Sequence, residues 1–267
     1  MLLERARRLW VDLARVPGGF PEPGQVRVVV SAGSRLCPDG WAGVVAVGGA
    51  VLATVPDEDS AALLRAALTG LGDRGLGDHG LGDHGGAPLG LTGSEGRDGA
   101  PRWLIDLGDL GGLPRALAVE DVLGPASLAY VDAGGFVAVH GGVAVERLPA
   151  GDVRVRELLD ASDPAEAGES GLREIVSDAF VVREGLEVVA VAGYRPWLDT
   201  AAHVSVLTAA GRRGEGLAKV VASAAVADAL ERGLLPQWRA RPEASRRVAR
   251  ALGFDEVGGQ VSVKLRG

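Results

Sequence analysis

Apolar and polar positions along the first part of the chain alternate with a helical period from Leu2 to about Leu13, which predicts a helix. A largely apolar run from Val26 to Val30 predicts a strand. A second apolar stretch extends from Trp41 to Val55, and a helix is expected from Ser60 to Leu68. The stretch from Trp103 to Val145 is only weakly patterned and ends in the alternating segments Phe136-Val137-Ala138-Val139 and Val143-Ala144-Val145.

From about Asp152 the pattern sharpens. Helical stretches near Arg156 to Leu159 and Leu172 to Asp178 lead into two β-rich runs, Ala179 to Arg183 and Glu187 to Tyr194. The short Glu184-Gly185 link between them predicts an antiparallel hairpin. Another strand is expected from His203 to Thr208. After a glycine loop, Leu217 to Arg232 is a run of mostly good helix formers, with Gly233 placed to cap it.

Between the two patterned regions lies a glycine-rich tract, about Gly70 to Gly99, with Leu-Gly-Asp-Arg/His-Gly three times in succession from Leu71, Leu76 and Leu81. So short a repeat has no face wide enough to bury, and glycine loses the most entropy on ordering, so the tract is expected to be a flexible insertion. His79 and His84 stand beside Asp78 and Asp83 in it. An ion would have to order the loop unaided, so no metal is expected. The expected organisation is a companion α/β domain over 1–148, carrying the insertion, and a second domain over 149–267.

Composition supports a layered α/β fold with a mixed sheet. Of 267 residues, 47% are hydrophobic but only 4% aromatic, so the core must be built mainly from Val, Leu and Ala. A net charge of −7 argues against a nucleic-acid-binding surface, and any polyanion site must be local. No apolar run approaches a membrane span, and charges interrupt the N-terminal apolar residues at once, so a cytoplasmic protein with no membrane association is expected. The single cysteine, Cys37, has no intramolecular disulfide partner and reads as a small buried or half-buried residue rather than a nucleophile.

The chemistry is concentrated in Ala209-Ala210-Gly211-Arg212-Arg213-Gly214-Glu215-Gly216, which lies between a strand and a helix. Glycines let the backbone approach a ligand closely, and free N–H groups at a helix start favour negative charge there. Arg212 and Arg213 add formal charge, so the loop suits a phosphate or pyrophosphate. A Walker loop would end in Gly-Lys-Ser/Thr, whereas Gly216 is followed by Leu217-Ala218. A dinucleotide fingerprint would need a third glycine where Ala218-Lys219 stand. A solvated turn is the plain alternative.

The ordered series resembles the GNAT superfamily of acyl-CoA N-acyltransferases. It comprises the hairpin at 179–194, the strand at 203–208, Arg-Arg-Gly-Glu-Gly-Leu-Ala at 212–218, a helix, a strand over Leu234 to Trp238, and Ser245-Arg-Arg-Val-Ala-Arg-Ala-Leu-Gly-Phe254. A final strand, Val261 to Leu265, completes the likeness, which covers about 152–267. The resemblance implies a GNAT fold in the C-terminal half, binding of acetyl-CoA, and transfer of the acetyl group to a primary amine by direct attack. By the same resemblance the amides of Arg212, Arg213, Gly214, Glu215, Gly216, Leu217 and Ala218 would hold the pyrophosphate. The edge of strand 204–208, with Val206, Leu207 and Thr208, would bond the pantetheine arm.

Two positions depart from the family pattern. Gly211 stands where Gln or Arg is usual, and Ala249 stands where many members carry a tyrosine that protonates the leaving thiolate. Ser245 is the candidate acid instead; otherwise it is a helix N-cap. His203, with an ordinary pKa near 6.5, is the candidate base, on the same strand face as Ser205 and Leu207. Glu169, Glu174 and Glu184 are alternative bases. Tyr194, Trp197 and Trp238 are candidates for the substrate pocket, and pocket volume near Val204, Val206 and Trp238 would set acyl length. Arg239, Arg241, Arg246, Arg247 and Arg250 form a cluster; Arg246, Arg247 and Arg250 read first as a solvated helix face, and otherwise as a contact to the cofactor's 3′-phosphate or an acidic substrate.

The acceptor expected is a small-molecule or protein amine, and an isologous homodimer is the default oligomer. Two rival functions stand beside this one: a non-catalytic CoA-ester-binding regulatory module, and an acyltransferase using another acyl-CoA or acceptor. The N-terminal helix and strand order is compatible with a degenerate second copy of the same fold, which a sheet of unrelated topology in residues 20–140 would exclude.

Overall fold

In the computed structural model, which describes residues 2–74 and 107–266, the chain divides into two compact units. The first is essentially residues 3–127 with 257–267, and the second is residues 128–256. The expected boundary at 148/149 followed sequence pattern; the division by contacts falls earlier, and the chain's last strand belongs to the first unit.

In the first unit, α1 (Leu2–Ala14) buries Ala6, Leu9, Trp10 and Leu13 at helical spacing. The apolar stretch 41–55 is two strands, β2 (Ala42–Val47) and β3 (Ala50–Val55), turned by Gly48 and Gly49 at φ 59° and 76°. Every residue of both strands is buried, so no alternation marks the turn between them. β1 (Val26–Val30) pairs in parallel with β3, and β2 pairs antiparallel with β3. The strand order is β1-β3-β2-β10-β4, where β4 is Val119–Tyr130 and β10 is Asp255–Leu265. Val44, Val51, Leu64, Leu68, Leu110, Val261 and Val263 meet in one core.

In that unit α2 spans Glu58–Arg74, beyond the expected end at Leu68 and through the start of the glycine tract; the rest of the tract, with His79 and His84, lies outside the described residues. α3 (Leu107–Ala116) and β4 replace the weak pattern expected from Trp103 onward. The parallel neighbours β1 and β3 are connected through β2, with no helix between them, so topology gives the second-copy reading no support. Cys37 is half-buried and its thiol is pushed up to about 11, first by desolvation and then by Asp39, so it stays protonated near neutral pH.

The second unit opens with β5 (Glu146–Leu148) and two short helices, α4 (Val153–Asp160) and α5 (Pro164–Glu169), capped by Asp152 and Asp163. A single 3-10 turn, Leu172–Glu174, stands where a helix over 172–178 was expected. The hairpin β6 (Ala179–Glu184) and β7 (Glu187–Trp197) follows, with Gly185 at φ 60° in its turn. Then come β8 (Ala201–Thr208), α6 (Leu217–Glu231), β9 (Leu235–Ala240) and α7 (Glu243–Ala251). The order is β9-β8-β7-β6-β5, and the end of β4 lies beside β9, where Val131 N donates to Pro236 O at 3.3 Å.

Strand alternation gives this sheet two faces with separate cores. On one, Phe180, Val182, Ala192, Tyr194, Ala202, Val204 and Trp238 pack against Leu217, Val221, Ala225 and Ala229 of α6. On the other, Val181, Val191 and Leu207 pack against Val155, Leu159, Leu172 and Ile175. Residues 136–139 form no strand: Phe136 and Val139 pack on the α6 core, and Val139 N donates to Ser223 Oγ at 2.9 Å. In the Leu252-Gly253-Phe254 turn, Gly253 has φ +83°, and a Cβ there would lie 2.0 Å from Gly135 O. The turn can therefore carry only glycine.

Candidate active site

β8 and β9 run parallel but pair only at Ala201–Leu235, Ala202–Pro236 and His203–Gln237. β8 continues to Thr208 and β9 to Ala240, so beyond His203 the ladder opens and the side of Val204 to Thr208 turned away from β7 has no strand partner among the described residues. Unpaired backbone at a sheet opening is a ready strip of donors and acceptors. At its far end the Thr208 hydroxyl is buried and has no partner among the described residues.

The open strip runs straight into the glycine loop. Gly214 and Gly216 take φ +85° and +81°, and a Cβ at Gly214 would meet nothing within 4 Å. Gly216 is the N-cap of α6 and no side chain caps that end, so the first amides of the helix are available to an anion. Gly211 is part of a short 3-10 turn, Ala210–Arg212, rather than a left-handed corner. Arg212 forks onto Glu215 with contacts of 2.9 Å and also reaches Glu184, while Arg213 forks onto Glu166 at 2.6 and 3.1 Å. The formal charge expected from these two arginines is shared with three carboxylates, Glu215, Glu184 and Glu166. The anion cradle is mainly backbone. It fits a pyrophosphate at the helix start and an extended polar arm along 204–208.

His203 lies at the point where the strands part. Its ring stacks on Trp197 with centroids 4.6 Å apart and planes at 17°. Its Nδ1 is 3.0 Å from Gln237 Oε1, and Gln237 Nε2 donates to Tyr130 Oη at 3.0 Å. Gln237 and Tyr130 are fully buried, so with the amide nitrogen committed to Tyr130, its oxygen must receive the proton on His203 Nδ1. Nε2 is left with the lone pair. The imidazole pKa is pushed down to about 3, first by desolvation and then by the charge of Arg239, so the ordinary value of 6.5 does not apply.

Around His203 the sheet face is charged. Arg195 stands directly opposite it on β7 and bonds Glu174, and Arg241 donates to Glu169 at 2.9 Å. Of the alternative bases, Glu169 and Glu174 thus belong to the His203 face, while Glu184 belongs to the loop through Arg212. Arg246 and Arg250 are held elsewhere, by Glu243 and Glu256.

Two expected pocket residues turn the other way. Tyr194 is 2% exposed in the α6 core, and its hydroxyl donates to Asp228 Oδ2 at 2.6 Å. Trp238 is likewise in that core, edge-on to Phe254, and its indole donates to Ser245 Oγ at 3.0 Å. Val204 is buried there too, which leaves Val206 as the partly exposed member of the expected acyl-length set. Ser245 is not an N-cap: α7 is capped at Pro242. Because Trp238 supplies the donor, the Ser245 hydroxyl keeps its own proton to give. Ala249 is buried in the same core, so that helix position points inward.

Sequence reasoning missed Gln237 and Tyr130. The available signal was a glutamine inside the apolar run Leu234 to Trp238, since a buried amide demands partners.

Residues 179–259 match the family model of GNAT acetyltransferases, a span that holds the hairpin, β8, the glycine loop, α6, β9 and α7. The C-terminal region of the chain is a GNAT superfamily region. No curated protein matches the chain. Among solved structures it is similar to a GNAT-family protein from Novosphingobium aromaticivorans, at 22% identity, 54% of this chain, 65% of that one and TM-score 0.44. It is also similar to a GCN5-related N-acetyltransferase from Kribbella flavida, at 20% identity, 58% of this chain, 64% of that one and TM-score 0.45. A third, an acetyltransferase from the GNAT family from Colwellia psychrerythraea, matches at 13% identity, 59% of this chain, 62% of that one and TM-score 0.42. The chain spans less than two thirds of the length of each of these structures. Among the described residues no helix is long and apolar enough to cross a membrane.

Proposed function

We propose that the second unit passes an acetyl group from acetyl-CoA to a primary amine by direct attack. The observation that carries this is the opening of β8 from β9 beyond His203 and Gln237, leading into the glycine loop and the uncapped start of α6. The amides of 212–218 hold the pyrophosphate, and the free edge of Val206 to Thr208 bonds the pantetheine arm. Bound acetyl-CoA supplies a thioester carbonyl as the electrophile.

His203 and Ser245 serve this reaction from opposite faces of the sheet. The neutral Nε2 of His203 accepts a hydrogen bond from the incoming amine. So weak a base takes the proton only as the N–C bond forms and the nitrogen becomes acidic. Ser245 Oγ, already accepting from Trp238, donates its proton to the departing sulfur. Trp197 walls the acceptor side through its stack on His203.

A thiol-release assay across a panel of amines tests this. His203→Ala and Ser245→Ala are each expected to lower kcat by about 100-fold while acetyl-CoA binding persists. Wild-type turnover in both variants would remove these roles. Acetyl-CoA binding with no amine turned over would assign the site to CoA-ester sensing.

A further inference from the structure

We propose that Ser205 completes the amine site on β8: its hydroxyl oxygen takes one N–H of a primary amine while His203 takes the other, so that the site selects primary over secondary amines. This rests on the acyl-transfer reading of the same site and names the residue that sets its acceptor class. His203 and Ser205 stand at alternate positions of β8, on one face and with Cα atoms about 7 Å apart. A nitrogen that gives two hydrogen bonds of about 2.9 Å bridges acceptors about 5 Å apart, a gap that the reach of the imidazole closes.

Ser205 is the first residue of this face past the parting of the strands, and it is 3% exposed. Its hydroxyl has no hydrogen-bond partner among the described residues, yet unlike that of Thr208 it is not sealed off. A buried hydroxyl in that position gains most from a ligand that pairs with it. Two glycines shape the space around it. A Cβ at Gly171, at φ +69°, would lie 3.0 Å from Ser205 Oγ, so glycine there keeps the oxygen uncovered. On the β7 side Gly193 stands directly opposite Ser205, and Ile175 fills the room it leaves, since a Cβ there would meet Ile175 Cδ1 at 2.6 Å. The hydroxyl is thus approached from the opening beyond His203, along which the thioester is held. A neutral primary amine brings one lone pair and two N–H groups. The lone pair forms the N–C bond as the C–S bond breaks, the N–H on His203 gives up its proton, and the N–H on Ser205 stays in the amide product. The sulfur leaves with the proton of Ser245, and solvent carries the proton from His203 back to that serine. An N-methyl group in place of the second N–H leaves the Ser205 oxygen unpaired and crowds it.

The test is thiol release by the full chain with acetyl-CoA and paired amines: butylamine and N-methylbutylamine, glycinamide and sarcosinamide, phenethylamine and N-methylphenethylamine. The wild type is expected to favour the primary member of a pair at least about tenfold in kcat/KM. Ser205→Ala should lower kcat/KM for the primary amine about tenfold and change that of its N-methyl partner less than about twofold, with acetyl-CoA affinity also within about twofold of the wild type. Ser205→Cys, whose thiol accepts poorly, serves if that variant does not fold. No preference in the wild type, an equal loss for both members of a pair, or a preference that survives both substitutions would overturn the proposal. A chain that turns over both members of a pair with no such dependence on Ser205 keeps acyl transfer and loses this selection. A chain that turns over none of the amines loses acyl transfer, and the selection with it.

Discussion

The charge state of His203 decides how the pH dependence of the proposed reaction should look. With its pKa pushed down to about 3, the ring is neutral throughout the working range, so kcat/KM should rise with pH along the ionisation of the amine acceptor alone. An inflection near 6.5 that disappears in His203→Ala would contradict this. The same shift bears on stability. Between pH 6.5 and about 3 the unfolded chain binds the proton that the folded ring refuses, so stability falls as pH drops through that window. Tyr194 offers a second test. Its bond to the Asp228 carboxylate is buried, so Tyr194→Phe should cost about 2 kcal/mol in urea unfolding and leave KM unchanged. A raised KM with unchanged stability would return Tyr194 to the pocket. His203 was legible in the sequence as a candidate, but its tautomer and pKa were not, because they are set by Trp197, Gln237 and Tyr130 on other strands. Tyr194 and Trp197 are three positions apart and so face opposite ways on β7. Choosing between them required knowing which face α6 covers.

Elements from β6 through α7 were largely readable, because glycines mark the β6–β7 turn, the loop before α6 and the end of α6. α5 was missed because six residues are too few to show a period. The hairpin of β2 and β3 merged into one run because both strands are buried on both faces, and residues 136–139 imitated a strand although only Phe136 and Val139, three positions apart, cover the α6 core, without a ladder. The glycine loop was found, but the fate of its arginines was not, because Glu166 and Glu184 reach it from distant elements. The Leu252-Gly253-Phe254 turn permits a sharper test than the family likeness. Gly253→Ala places a methyl against Gly135 O at a left-handed position and should cost about 2–4 kcal/mol, read from the urea midpoint. An unshifted midpoint would mean that the turn relaxes and that the close approach of the two backbones is not needed.

Across the whole molecule, a net charge of −7 coexists with local arginine clusters and with the proposed backbone cradle for an anion, so the proposed site does not depend on a basic protein. The sequence pointed the proposed chemistry to the C-terminal half but did not show that the last strand belongs to the first unit. A chain truncated after Glu256 loses Val261 and Val263 from the core built on β2 and β3 and leaves β2 an open edge. It should melt at lower temperature and aggregate, as read by calorimetry and light scattering; an unchanged melting profile would contradict the role given to β10. The central claim, an acyl-CoA site at the parting of β8 and β9, is met most directly by calorimetric titration with acetyl-CoA and desulfo-CoA, repeated on Gly214→Asp/Gly216→Asp with circular dichroism as the folding control. The account predicts micromolar binding of both ligands that is lost in the folded double variant. No binding by the wild-type chain, or equal binding by the variant, would contradict it.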